Sequence, residues 1–134
     1  MKFRDVAQSD IDYMVENSIN GNLKQLRSVD HIYTLEHEGI PLLVGGFRLI
    51  TDTTAWCWTD ISHESGKHIK TMYRTIKEWI DIFVRTHNIK RLQACIRVNS
   101  PEAIRMVEHL GFRLESSMPK FFGDSDGFLY VRLI

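Results

Sequence analysis

The hydrophobic period of this chain changes several times, and each change marks an element. "MKFRDVA" (1–7) reads as a short first strand. "SDIDYMVENSI" then places Ile11, Met14, Val15 and Ile19 on one helical stripe. Ser9 or Asp10 is its N-cap, Ser9 and Asp12 having the spacing of a capping box, and Asn20-Gly21 stops it. "NLKQLRSV" (22–29) reads as a second short helix. The period then falls to two. "IYTLEHEGIPLLVGGFRLIT" predicts two strands around Glu38-Gly39, with Pro41 at a strand start where a missing donor matters least. "TTAWCWTDIS" is another strand, dense in aromatic and β-branched residues. From Gly66 to about His87 the period is helical again. Ile69, Met72, Tyr73, Ile76, Ile80, Phe83 and Val84 form the dry face, and Lys70, Arg74, Lys77, Glu78, Asp81 and Arg85 the wet one. "RLQACIRV" alternates, with Leu92, Ala94, Ile96 and Val98 on one side. "SPEAIRMVEHLG" is a helix punctuated by Ser100 as cap, Pro101 at its first position, Glu102 in its first turn and Gly111 past its end. "FRLESSMPKFF" and "GFLYVRLI" are two closing strands about a "GDSDG" turn. The order β-α-α-β-β-β-α-β-α-β-β predicts an α/β protein (α+β, mixed sheet) with helices on both faces.

Composition narrows the function classes. A chain of 134 residues, 43% hydrophobic and 25% charged, suits one globular domain spanning 1–134. Seventeen basic residues balance seventeen acidic ones, so no global field favours nucleic acid or a membrane surface. No window approaches the ~20 apolar residues of a membrane span, and "MKFRDVAQSD" has no apolar run of signal length. Cys57 and Cys95 lie in predicted strands, outside any disulfide framework or CxxC pair, and read as reduced core thiols in a cytoplasmic protein. Lys67, Lys70, Arg74 and Lys77 read as the solvated face of the long helix, and Trp56, Trp58 and Trp79 as core or groove lining.

The stretch "DISHESGKHI" (60–69) carries the densest candidate chemistry. A zinc-protease motif needs its second His four residues after the first, and here His63 and His68 are five apart. On a helix their rings would stand about 140° apart, so they do not share a metal, and none is expected. A P-loop needs a Gly five residues before Gly66 and a Ser or Thr after Lys67, where Ile61 and His68 stand.

The element order, with "VNSPEAIRMVEHLGF" as penultimate segment and "VGGFRLI" as third strand, resembles the GNAT superfamily of acyl-CoA-dependent N-acetyltransferases. The resemblance covers nearly the whole chain. It implies the GNAT fold, acetyl-CoA as co-substrate, and transfer of its acetyl group to a primary amine by direct attack in a ternary complex, with a homodimer as the oligomer it allows. In that family the fourth strand runs into a Q/R-x-x-G-x-G/A loop whose backbone N–H groups hold the pyrophosphate at a helix start. The resemblance places His63 at the Q/R position, Gly66 at the first Gly and His68 at the last small residue. It implies cofactor contacts from Ile61, His63, Ser65, Gly66, Lys67 and Asn99. His68 has a side chain where the pattern wants almost none, so it is expected in the first turn of the long helix with its ring turned out of the loop.

Catalysis departs from the family pattern at one position. Many members place a general-acid Tyr four residues before the Gly of the Leu-Gly-Phe end, and here that residue is Val107. The resemblance makes Asp60 the candidate general base, with His63 and Glu64 behind it. "SGKHIKTMYRTIKEWID" is also similar to GNAT-like internal virion proteins of short-tailed bacteriophages, in which the scaffold serves assembly or host interaction. A catalytically degenerate structural or interaction protein, located in virion or host cytoplasm, is therefore the competing expectation.

Overall fold

The computed structural model describes residues 1–19 and 30–134. Its elements are β1 (Lys2–Asp5), α1 (Gln8–Asn17), β2 (His31–His37), β3 (Ile40–Leu49), β4 (Thr54–Ile61), a 3₁₀ segment His63–His68, α2 (Ile69–Thr86), β5 (Arg91–Arg97), α3 (Pro101–His109), β6 (Arg113–Phe122) and β7 (Ser125–Leu133). The strands form one seven-stranded sheet in the order β1-β2-β3-β4-β5-β7-β6. Its β1–β2, β2–β3, β5–β7 and β6–β7 pairs are antiparallel and β4–β5 is parallel, joined through α2. This is the predicted mixed sheet. The Asn20-Gly21 stop and the second short helix lie outside the described residues.

Backbone contacts divide the chain into two compact units. The first comprises Met1–Arg48 and Cys57–Trp79. Its β2–β3 hairpin turns at Glu38 (φ 52°) and Gly39 (φ 80°), the left-handed pair that matches strand twist in a two-residue turn. Met14, Val44 and Trp58 form a buried cluster against Val6, Tyr13 and Ile32. Trp79 stacks on Phe3 at 5.0 Å and meets Tyr33 edge-on at 5.2 Å.

In α1 the structure corrects the sequence reading. The N-cap is Ala7, in place of Ser9 or Asp10, and Asp10 reaches back to accept the Ala7 N–H at 2.7 Å. The reason is tertiary. Asp10 is buried, and its carboxylate takes a two-pronged bond from Arg4 on β1 (2.7 Å to each oxygen) and one from Thr34 Oγ1 on β2 (2.9 Å). Those partners fix which face of α1 turns inward. Met14 is buried as expected, but Val15 and Ile19 are 73% and 53% exposed, so the four-residue stripe does not bury as a unit.

The second unit comprises Leu49–Trp56 and Ile80–Ile134. Ile80, Phe83 and Val84 of α2 are buried, and the helix closes with Asn88 left-handed (φ 53°) and Ile89 N–H bonded to Val84 O at 2.9 Å. Leu92 and Ala94 of β5 are buried as the alternation predicts. The strand ends at Arg97, so Val98 (38% exposed) and Asn99 fall in the following turn. Pro101 opens α3 and Gly111 (φ 90°) follows its end as read, although the Ser100 side chain makes no cap bond. Neither cysteine is in a disulfide; burial pushes the Cys57 thiol up to about 12 and Cys95 up to about 11, so neither is a ready thiolate.

Asp10 gives the fold a testable pH dependence. The Arg4 guanidinium, helped by the Ala7 N–H and the Thr34 hydroxyl, holds its carboxyl below its ordinary 3.8. A group depressed in the folded state stabilises above its unfolded pKa and loses that contribution as pH falls. Wild-type stability in urea should therefore drop as pH falls below about 4, while Asp10→Asn flattens that segment of the curve. At neutral pH Asp10→Ala should cost about 2–4 kcal/mol, because a buried network loses its acceptor.

Candidate functional site

Six of the seven residues singled out from the sequence lie on one continuous stretch of the first unit, where β4 ends and α2 begins. The β4–β5 ladder pairs Thr54–Trp56 with Arg91–Gln93, while β4 runs on to Ile61. Past that ladder the end of α1 takes the strand's edge. Ser18 bridges Ser62, and the Ile19 N–H donates to Ile61 O at 2.8 Å. On the opposite side the Ser62 N–H donates to Leu42 O (2.9 Å) and its hydroxyl to Pro41 O (3.1 Å) of β3.

Asp60 is fully buried, and its Oδ1 accepts a hydrogen bond from the Ser18 hydroxyl. The contact ties the last turn of α1 to β4. In this conformation the carboxylate does not meet solvent.

The phosphate-loop residues are arranged differently from the sequence reading. The long helix does not start at Gly66; one 3₁₀ stretch, His63–His68, precedes α2, with Ser62 extended at its N-cap. Ser65 is buried and its N–H already donates to Ser62 O at 3.1 Å, so that amide is committed to the turn. The Ile61 carbonyl is committed to Ile19 in the same way. Gly66, His63 and Lys67 are exposed, and a Cβ built on Gly66 would meet nothing within 4 Å. Lys67 Nζ lies 3.1 Å from Glu64 Oε2. His68 closes the 3₁₀ stretch just ahead of α2, and its ring packs on His37 of β2 at 4.5 Å instead of standing in open solvent. Ile69, expected on the dry face, is the first residue of α2 and is 39% exposed.

Asn99 belongs to the second unit, exposed in the turn after β5. Val107 is buried in α3, a packing residue at the position where the family pattern has a phenol. No group of three or more His, Cys, Asp or Glu among the described residues is arranged to hold a metal ion.

No family model matches the sequence, and no curated protein is detectably similar to it. The fold, in contrast, is found in many solved structures. A GNAT family acetyltransferase from Elizabethkingia anophelis with acetyl-CoA bound superposes with a TM-score of 0.80 over 99% of this chain and 97% of that one, at 13% identity. This chain has the GNAT fold. A point mutant of the spermidine N-acetyltransferase SpeG from Vibrio cholerae gives a TM-score of 0.79, covering 98% of this chain and 92% of that one at 14% identity. The ribosomal-protein-S18-alanine N-acetyltransferase from Escherichia coli gives 0.75, covering 99% and 93% at 12% identity.

Two glycines of the first unit differ in what surrounds them. A Cβ on Gly46 would sit 2.9 Å from Trp58 Nε1 and 3.0 Å from two indole carbons. The indole is buried and rigid, so Gly46→Ala should destabilise by about 1–3 kcal/mol through overpacking. Gly66→Ala should leave the thermal midpoint of the free protein unchanged or slightly raised, as measured by calorimetry.

Proposed function

We propose that this protein is an acetyl-CoA-dependent N-acetyltransferase acting on a primary amine. The observation that carries the reading is the superposition, over 99% of the chain, on a GNAT structure that binds acetyl-CoA. The open face of Gly66 fits it, since nothing in the protein itself requires a glycine there. The spermidine and ribosomal-protein enzymes act on amines, which supports the acceptor class without naming the acceptor. The comparisons lend no support to the phage virion reading.

On this reading the pyrophosphate lies against Gly66, with Lys67 and His63 supplying charge and Ser65, Ile61 and Ser62 holding the turn in shape. Lys67 exchanges its exposed Glu64 partner for a phosphate oxygen, a small loss because surface pairs contribute little. The neutral amine nitrogen attacks the thioester carbonyl carbon, one N–H proton passes to water, and the carbon–sulfur bond breaks to leave the amide and CoA thiolate. With Val107 in place of a phenol, no side chain at that position protonates the thiolate. Positioning of the two reactants then supplies most of the acceleration. We assign Asp60 an orienting role, holding the end of α1 to β4.

Two measurements test this. Acetyl-CoA at ~100 times its dissociation constant should add about 2.7 kcal/mol of stability, and Gly66→Ala should weaken binding roughly tenfold by crowding the phosphate. No thermal shift at millimolar acetyl-CoA would sink the enzyme reading and favour a degenerate scaffold. Asp60→Asn discriminates the two roles of that residue. An orienting carboxylate predicts a lower thermal midpoint with a kcat/KM profile of unchanged shape. A base predicts loss of roughly 10²-fold in kcat/KM together with loss of the acid limb.

A further inference from the structure

Among the described residues, each half-buried arginine is paired with a carboxylate, with one exception. Arg4 bonds Asp10 and Glu36, Arg48 bonds Asp30, Arg91 bonds Glu115, and Arg132 bonds Asp81. Arg97, at the end of β5 and also half-buried, makes no ion pair or side-chain hydrogen bond among the described residues. What it has is a ring: its guanidinium carbon lies over Phe122, 4.3 Å from the centroid. A ring face attracts the cation, but it is a poor substitute for the oxygen acceptors that the N–H groups can bond.

The same sheet face carries an aromatic shelf. Trp56 of β4 pairs with Gln93, and Gln93, Cys95 and Arg97 alternate to one side of β5. Arg97 lies opposite Gly127 of β7, and Gly127 opposite Met118 of β6. A Cβ at Gly127 would collide with Cys95 Sγ and stand 3.2 Å from Phe122, so the bare backbone leaves room for that ring. Strand β6 is irregular between Met118 and Phe122. Within that irregularity Lys120 is left-handed (φ 57°), a rare conformation for a side-chain-bearing residue, and its N–H donates to Asp126 Oδ1 at 2.8 Å. In a regular strand Phe121 and Phe122 would face opposite sides. Here their rings meet edge-on at 5.0 Å, and Phe121, 41% exposed, also reaches Trp56 at 5.9 Å. The distorted backbone thus secures a run of rings, Trp56, Phe121 and Phe122, that ends at the unpaired Arg97.

We infer that the surface between Arg97 and Phe121 binds a small molecule in which an oxyanion is attached to an aromatic ring. Arg97 bonds the anion, because a guanidinium fork matches the paired oxygens of a carboxylate or phosphate. The exposed Phe121 ring stacks the planar group. A short shelf ending in one cation holds one ring and one anion, which favours a small aryl acid over an extended chain. The inference is independent of the proposed activity, since these residues all belong to the second unit and the test contains no acetyl-CoA. In NMR titrations of the full chain, phenylacetate or phenyl phosphate should shift the amides of Lys120, Phe121 and Phe122 and the Arg97 Nε–H. The stronger of the two names the head group, and it should bind at least about tenfold more tightly than neutral phenylacetamide. Arg97→Gln should abolish that discrimination, while Arg97→Lys should keep part of it. Phe121→Ala should weaken charged and neutral aryl probes alike by about fivefold, and circular dichroism checks that each variant is folded. Phenylacetamide binding the wild-type chain as tightly as the anions would overturn the inference, and that comparison needs no variant. So would shifts confined to other residues, no shift at millimolar anion, or discrimination that survives in a folded Arg97→Gln chain.

Discussion

The N-terminal unit depends on one buried carboxylate. Asp10 lies between β1, α1 and β2, and it satisfies a donor from each: the Arg4 guanidinium, the Ala7 N–H that would otherwise be an orphan at the helix start, and the Thr34 hydroxyl. Burying a carboxylate is costly, and what makes it tolerable is that the charge is met by a two-pronged guanidinium and by backbone and hydroxyl donors together. Glu36, also bonded to Arg4 at 3.0 Å, extends the network outward and fixes the other side of the guanidinium. Remove Asp10, and three elements lose their common reference.

That reference matters for the candidate site because α1 delivers Ser18 and Ile19 to β4. The strand's edge past the β5 ladder is occupied by these two residues, and its other edge is bonded to β3 through Ser62. The 3₁₀ turn therefore starts from a backbone pinned on both sides. Its exposed surface, Gly66 with Lys67 and His63, is presented by rigid elements and not by a free loop, which is the arrangement that best preserves a binding geometry.

Much of this was legible locally. The Glu38-Gly39 hairpin, the wet and dry faces of α2, and Pro101 and Gly111 around α3 are set by residues adjacent in sequence, so period and punctuation suffice. The features that escaped are those decided at a distance. Ser9 fits the local rule for an N-cap, but Asp10 is claimed by Arg4 and Thr34, and the cap shifts to Ala7. Gly66 suggests a helix start, yet the winding begins at His63 because Ser62 is fixed to Pro41 and Leu42. The commitment of the Ile61 carbonyl to Ile19 leaves no trace in either segment's pattern.

The burial of Asp60 has a consequence for the acceptor. If no accessible side chain removes the amine's proton, only the neutral fraction reacts, and that fraction is set by the acceptor's own pKa. At pH 7 an alkyl amine of pKa about 10.4 is neutral in roughly one molecule in two thousand, whereas an α-amino group near 7.8 is neutral in about one in seven. At equal binding and equal nucleophilicity of the neutral amines, the proposed enzyme would thus use an α-amino group a few hundredfold faster than a lysine-like or polyamine nitrogen. Its rate on the latter should climb about tenfold per pH unit until the amine itself titrates. A plateau near neutral pH with an alkyl amine would mean that a base reaches the nucleophile after all, and with Asp60 buried behind Ser18 in this conformation, such a base would require the end of α1 to move.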